Sequence, residues 1–487
     1  MPEKRRQNLQ ESLQRFRTIL NEQEIEELLA IQERSLPTGI RFNPLKVTPE
    51  EAVRSLSDRY GWKVAPIPFC TNGWTIRESQ ISPGTTIEHR MGHYYLQDAA
   101  SMVPVSLFDL DEPHPLVLDM AASPGGKTTH LIDRTDDQGL IIANDASKGR
   151  IPALRSVLSI WGAANTVITN FPGETFGDWY PDTFDMVLLD SPCSMENLRP
   201  VPGRPLRETS SDERFRLQDR QIQLLTSGLK ALKPGGQLVY ATCSLAPEED
   251  EAVIDALLDA YPNTFEIIDV SHRFKFRTTG LTNFEADIYD PHLSHALRLW
   301  PHLTGMSGFF CALLVKTSSI ATVPTSPPSR SFSRTDLGKC PLEIRERLED
   351  QVFKNYGISI EVVVSKFSLD LYQRYDQLFL IPTRYLSQFI TLPYEFIGLP
   401  LGRWVKDKFE PSHEFISRFG HQFTRGIIQI NDQQVISWVA GRDIRHPEVN
   451  LVPEGQYLLV TDNADRNLGM GKLLPKRLRN MLPRGSV

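Results

Sequence analysis

Apolar residues first recur at helical intervals: Leu9, Leu13, Phe16, Leu20, Ile25 and Leu28 predict one amphipathic helix over about residues 5–35. Residues 40–43 read as a strand, and Thr48, Pro49, Glu50 and Glu51 as a capping pattern that opens a second helix. A β-leaning stretch through Trp74, Thr75 and Ile76 precedes residues 92–104, a loop running into a helix. Together these segments predict a small α+β module.

From residue 116 to 316 the period changes. Short apolar runs (LVLDM, LIIAND, NTVITN, FDMVLLD, GQLVYATCS and GFFCALLV) alternate with helical patterns such as 214–232 and 248–260. Alternating β and α elements predict a mainly parallel sheet covered by helices on both faces. Residues 318–333 (SSIATVPTSPPSRSFS) are rich in Ser, Thr and Pro and read as a linker. Beyond them, LFLIP, GIIQI and YLLVT predict a separate, smaller, β-rich unit with short helices.

Composition narrows the class. A chain of 487 residues suggests about three domains. No apolar run approaches the ~18–20 residues of a membrane span, and the charged start MPEKRRQNLQESLQRF is not expected to be a secretory signal. Five scattered cysteines (Cys70, Cys193, Cys243, Cys311 and Cys340) contain no CxxC, so neither a disulfide framework nor a metal site is expected. A cytoplasmic location follows as the expectation. The net charge of −7 disfavours a nucleic-acid partner only if it is evenly spread. It is not: Arg466, Lys472, Lys476, Arg477, Arg479 and Arg484 occur without an acid among them. Such a patch holds phosphates on an otherwise acidic protein, although a solvated tail has the same composition.

Candidate chemistry centres on LVLDMAASPGGKTTHL, residues 116–131, which reads as strand, tight turn and helix start. Gly125 and Gly126 would let the backbone approach a ligand, and Pro124 stiffens the turn. Such turns lie at the carboxyl edge of an open sheet, where cofactors bind. GxGxxG is absent, which argues against a dinucleotide. Gly126-Lys127-Thr128 imitates a Walker A loop, but Ala121 stands where that pattern needs Gly, so a P-loop NTPase is disfavoured. Asp145, ending IIAND, is placed to take two ribose hydroxyls and favours an S-adenosylmethionine pocket. Two more strands end at the same edge near cysteines: Asp190 is followed by Cys193, and LVYAT by Cys243.

These tokens resemble the NOL1/NOP2/Sun family of RNA 5-methylcytosine methyltransferases. The resemblance covers roughly 41–316 through QDAASM, AASPGGKTT, DSPCS, KPGG, ATCSLAPEEDEAV and RLWPH…GFF. More loosely, LGMGKLLPKRLRNMLPRG is similar to the PUA-like extension of the bacterial RsmF-type subgroup. The resemblance implies a Rossmann-like class I methyltransferase sheet, an N-terminal α+β module and a C-terminal small α+β, PUA-like β-rich unit. The implied divisions are 1–110, 111–317, a linker at 318–334, 335–410 (pre-PUA-like) and 411–487 (PUA-like).

The implied chemistry needs two thiols, because C5 of cytosine is too weak a nucleophile until a thiolate adds at C6. By the family pattern Cys243 is the nucleophile, Cys193 assists release, Asp190 engages the N3 edge and Lys127 supports it electrostatically. S-adenosylmethionine would be held by Ala121, Ala122, Ser123, Pro124, Gly125, Gly126, Lys127, Asp145 and Asp190. RNA would be held by Arg466, Lys472, Lys476, Arg477 and Arg479, with the target base unstacked. Small-subunit rRNA is the expected substrate and tRNA the runner-up, acted on by a monomer. A non-catalytic RNA-binding assembly factor is the rival reading.

Two departures from the family pattern stand out. Pro172 occupies a place where an Asp near the adenine is usual, and Ser194-Met195-Glu196-Asn197 replaces a Gly-x-Gly loop, which would reshape the base pocket. His93 and His302 are expected to be packed, Cys311 to be core, and Cys70 and Cys340 to be chemically silent. Residues 248–251 (EEDE) read as an acidic helix start.

Overall fold

The computed structural model describes residues 13–31, 36–196, 209–276, 278–447 and 455–482. Leu9, Asn197, Arg484 and the ends of the predicted 5–35 helix lie outside the described residues.

An N-terminal four-stranded antiparallel sheet comprises β1 (Thr38–Phe42), β2 (Lys63–Pro66), β3 (Gly73–Glu78) and β4 (Tyr94–Leu96), in the order β2-β3-β1-β4. The helix Pro49–Tyr60 packs on it, starting at Thr48 without a side-chain cap bond. The single amphipathic helix predicted for the N-terminus is instead two pieces, a 3₁₀ turn Arg15–Thr18 and a helix Glu22–Ile31. Asn21 is the reason. Its Oδ1 accepts from Glu24 N at 3.0 Å while Glu24 Oε2 accepts from Asn21 N at 2.9 Å, a reciprocal cap that restarts the helix. Phe16, at helical spacing with the rest, turns into the central domain and meets Trp300 edge-on at 5.5 Å.

The central sheet has nine strands. Five are parallel, in the order β9-β8-β5-β6-β7: β5 (Leu116–Asp119), β6 (Leu140–Asn144), β7 (Thr166–Thr169), β8 (Phe184–Asp190) and β9 (Leu232–Thr242). Beyond β9 lie β14 (Phe309–Lys316), antiparallel to it, and then β10 (Phe265–Ile268), with β13 (Leu297–Leu299) also on β14. A small hairpin of β11 (Asn283–Phe284) and β12 (Asp287–Ile288) stands apart. The predicted apolar runs became strands because both faces of the sheet are covered. In β8, Phe184, Val187 and Leu189 face one core while Met186 and Leu188 face the other. β10 escaped the sequence reading; its four residues FEII sit near the edge and alternate in exposure.

The C-terminal region contains two five-stranded sheets. One holds β15 (Gly338–Lys339), β16 (Leu369–Arg374), β17 (Gln377–Pro382), β19 (Leu399–Val405) and β20 (Lys408–Pro411). The other is a curled half-barrel of β21 (Ile427–Ile430), β22 (Ile444–Arg445), β23 (Tyr457–Asp462), β24 (Asn467–Leu474) and β25 (Arg477–Asn480). The region is not a separate body. β18 (Phe396–Ile397) extends the central sheet by pairing with β7, and Lys46 of the N-terminal module donates to Ser417 Oγ at 2.6 Å.

Candidate active site

Strand order brings the chemistry together. β8 and β9 are neighbours, with Asp190 in register with Ala241. Their exits therefore start side by side, and three residues beyond one and two beyond the other place Cys193 and Cys243 with their Sγ atoms 3.1 Å apart. Both thiols are free. The Cys193 S–H, held against Cys243, lowers the Cys243 thiol pKa, an effect that Lys127 reinforces and that burial, Asp190 and Glu249 oppose. That same pairing, together with burial, pushes the Cys193 thiol well up. Within the pair Cys243 is therefore the thiol that ionises first and Cys193 the one that keeps its proton.

Lys127 projects from the first turn of the helix Gly126–Arg134, which follows β5, itself adjacent to β8. Its Nζ donates to Asp190 Oδ2 at 2.7 Å and to Ser101 Oγ at 3.1 Å, and lies 5.2 Å from the centre of the Phe309 ring. Burial alone would favour the neutral amine, but the Asp190 carboxylate overrides it and holds the ammonium form above its ordinary range. This cation is committed to a carboxylate, unlike the lysine of a phosphate cradle.

A groove of about 220 Å³ opens beside this pair, lined by Tyr95, Ser101, Asp119, the loop 121–124, Gly126, Lys127 and Asp190. Asp119, the last residue of β5, was missed by the sequence reading. It is buried, Thr128 donates to its Oδ2 at 2.7 Å, and its Oδ1 has no hydrogen-bond partner among the described residues. Burial raises its pKa to about 7. An orphaned buried carboxylate oxygen facing a groove fits a ligand that carries positive charge, as S-adenosylmethionine does at its sulfonium and amine. Its signal was available: Asp119 ends the strand directly before the Gly turn.

The expected roles of several residues change. Gly125 (φ +114°) and Gly126 are also required by protein packing: added Cβ atoms would lie 2.9 Å from Val157 Cγ1 and 2.9 Å from Tyr95 Cε1 respectively. Asp145 is buried next to the turn but is not in the groove lining; it accepts from Ser123 N at 3.2 Å and Ser147 N at 2.8 Å, and Arg150 caps it at 3.3 Å. Pro172 is exposed and likewise absent from that lining. Met195 holds the left-handed backbone (φ +62°) with a 57% exposed side chain, while Glu196 turns away from the groove to pair with Arg214 at 3.0 Å.

The acidic run opens the helix Glu251–Ala260, with Asp250 at its N-cap, and most of it is buried. Glu249, Asp250 and Glu251 are fully buried. Arg298, also fully buried, donates to Glu251 Oε1 at 2.9 Å and to Asp250 Oδ2 at 3.2 Å. His93 and His302 are packed, Cys311 is core, and Cys70 and Cys340 are buried. Of the basic C-terminal residues, Arg466 is spent internally on Asp462 and on Glu88 of the N-terminal module. Lys472 donates to Tyr457 Oη at 2.8 Å. Lys476, Arg477 and Arg479 are exposed at the β24–β25 turn and on β25, with Arg477 3.0 Å from Asp443.

Comparison with known proteins places this geometry. Residues 107–315 match the model of the 16S rRNA methyltransferase RsmB/F family, 10–99 that of the N-terminal domain of 16S rRNA methyltransferase RsmF, and 425–487 that of the methyltransferase RsmF PUA domain. The ribosomal RNA small subunit methyltransferase F of Aeromonas hydrophila is 31% identical over 95% of this chain and 94% of its own. The chain belongs to the RsmF family of rRNA methyltransferases. A second relative of the same name, from Vibrio parahaemolyticus, is 29% identical over 98% of this chain and 96% of its own. Among solved structures, a methyltransferase homolog from Pyrococcus horikoshii is similar at TM-score 0.56 and 30% identity, over 65% of this chain and all of its own. NSun6 from the same organism, solved with SFG, shares the fold at TM-score 0.52 and 19% identity, over 65% of this chain and 99% of its own. The family is S-adenosylmethionine-dependent. Among the described residues no helix is long and apolar enough to cross a membrane.

Proposed function

We propose that this chain transfers a methyl group from S-adenosylmethionine to C5 of a cytosine in 16S rRNA, through a covalent bond between Cys243 and C6. The observation that carries the reading is the pair of thiols 3.1 Å apart beside the Lys127–Asp190 ion pair. When bound, S-adenosylmethionine would supply an electrophilic methyl on sulfonium, and Asp119, Asp190 and the 121–124 loop are the residues that would hold it. Cys243 Sγ adds to C6, and the displaced electron pair moves toward C5 and N3. A proton relayed from the Lys127 ammonium through Asp190 to N3 neutralises that charge, and Asp190 then accepts from N3–H. Once C5 carries the methyl, Cys193, which gives up its own S–H proton to water when Cys243 no longer accepts from it, takes the C5 proton as a thiolate. The C6–Sγ bond then breaks and Cys243 leaves as thiolate.

Asp145 serves a ribose only when Arg150, whose side chain is 54% exposed, swings off its carboxylate. Lys476, Arg477 and Arg479 supply phosphate contacts that position the RNA rather than specify the base. The functional divisions are 1–110, 111–317, 335–410 and 411–487 around a linker at 318–334, in a cytoplasmic monomer. The test is incubation with methyl-labelled S-adenosylmethionine and either 16S rRNA or tRNA, with nucleoside mass spectrometry. 5-Methylcytidine in the rRNA alone is expected; label in tRNA moves the substrate, and cofactor binding without label in either leaves an assembly factor.

A further inference from the structure

Cys193 and Cys243 are each followed by a serine, and both serines are bound by one carboxylate. Glu249 Oε1 accepts from Ser244 Oγ at 2.9 Å and from Ser194 Oγ, while Oε2 accepts from Ser194 N at 2.8 Å and from Gln221 Nε2 at 3.1 Å. Gln221 also donates to Pro192 O at 2.9 Å, one residue before Cys193. The side chain of Glu249 is fully buried. Its neighbours Asp250 and Glu251 are answered by Arg298, whereas the interactions of Glu249 are with neutral donors from the two cysteine loops and the helix Ser211–Ala231.

We propose that Glu249 is the positioning residue of this site, a single buried carboxylate that fixes the spacing of Cys193 and Cys243 by holding the loop that follows each of them. The inference rests on the two-thiol reading above. Four donors converge on this side chain, and only a carboxylate has acceptor capacity on both ends. A glutamine there would keep its oxygen on Ser194 N and Gln221 but turn its NH₂ to the two hydroxyls, reversing those bonds and replacing charge-assisted contacts with weaker neutral ones. The charge has an electrostatic cost: Glu249 opposes ionisation of both thiols. A buried anion kept beside a nucleophile that works as an anion is explained by the geometry it maintains.

The experiment compares wild type with Ser194→Ala, Ser244→Ala and Glu249→Gln by steady-state methylation of rRNA and by the pH dependence of iodoacetamide labelling at Cys243, mapped by mass spectrometry. Each serine variant removes one arm of the clamp, and kcat is expected to fall by about fivefold or more with KM for RNA unchanged, as for loss of one buried hydrogen bond to a charge. Glu249→Gln is expected to lower kcat further, yet to shift the Cys243 labelling profile toward lower pH, because the opposing charge is gone. The serine variants should leave that profile in place. Wild-type kcat in both serine variants, or an unshifted labelling profile in folded Glu249→Gln, overturns the proposal. Failure of the wild type to methylate cytosine overturns the two-thiol reading instead, which the labelling arm separates because it needs no RNA.

Discussion

The Sγ atoms of Cys193 and Cys243 lie 3.1 Å apart although fifty positions separate them in the chain. That distance suits a hydrogen bond from thiol to thiolate, and it gives the two sulfurs unequal character. Cys193→Ala protein recovered from cells is therefore expected to carry a covalent RNA adduct visible on a denaturing gel. Cys243→Ala, alone or combined with Cys193→Ala, should carry none. An adduct that persists without Cys243 would reverse the roles.

Lys127 holds Asp190 as an ion pair in the groove. Lys127→Met removes the cation that offsets Asp190 and supplies the proton relayed to N3. The single-turnover methylation rate is expected to fall by roughly 10²-fold, the scale of removing one preorganised electrostatic group. Asp190→Asn should be similarly impaired, and the double variant should lose much less than the product of the two.

Arg150 covers Asp145. If Asp145 receives the ribose, Arg150→Ala should bind S-adenosylmethionine at least as tightly as wild type, and Asp145→Ala more weakly, by calorimetry. Weaker binding in Arg150→Ala with no change in Asp145→Ala would remove Asp145 from the cofactor site.

Arg298 is fully buried between Asp250 and Glu251. Arg298→Ala strands two buried carboxylates and should destabilise the fold by about 3–5 kcal/mol, measured by denaturant unfolding. Loss should be concentrated in the helix Glu251–Ala260 and β13, readable by hydrogen exchange.

His93 lies buried between the N-terminal module and the C-terminal half-barrel, and burial lowers its pKa to about 4. An unfolded histidine titrates near ~6.5. Between those values the unfolded chain binds the extra proton, so stability falls as pH drops from about 6.5 to 4, by roughly 3 kcal/mol at full protonation. Thermal melts across this window should show a shallower pH slope in His93→Gln than in wild type.

Much of this was legible in the chain. The parallel strands announced themselves because a sheet covered on both faces needs uninterrupted apolar runs, and the DSPCS and ATCS tokens carried the thiols openly. The N-terminal helix was misread because apolar spacing continues through Asn21, whereas the cap that divides it is a local polar bond between Asn21 and Glu24. Glu249 read only as part of an acidic helix start, since nothing in EEDE tells which carboxylates meet an arginine and which meet serines. Arg466 read as a phosphate contact for the same reason: its partner Glu88 is remote in sequence.

The sequence by itself determined the parallel sheet, the Gly turn after β5 and the two cysteines just beyond strand ends, because period and turn chemistry are local. Only the tertiary structure decided which exits adjoin. Placing β8 between β9 and β5 set the two sulfurs and the Lys127–Asp190 pair at one edge. It also decided which charges are consumed inside the molecule, because an ion pair or a clamp forms between side chains that the fold, not the chain order, makes neighbours.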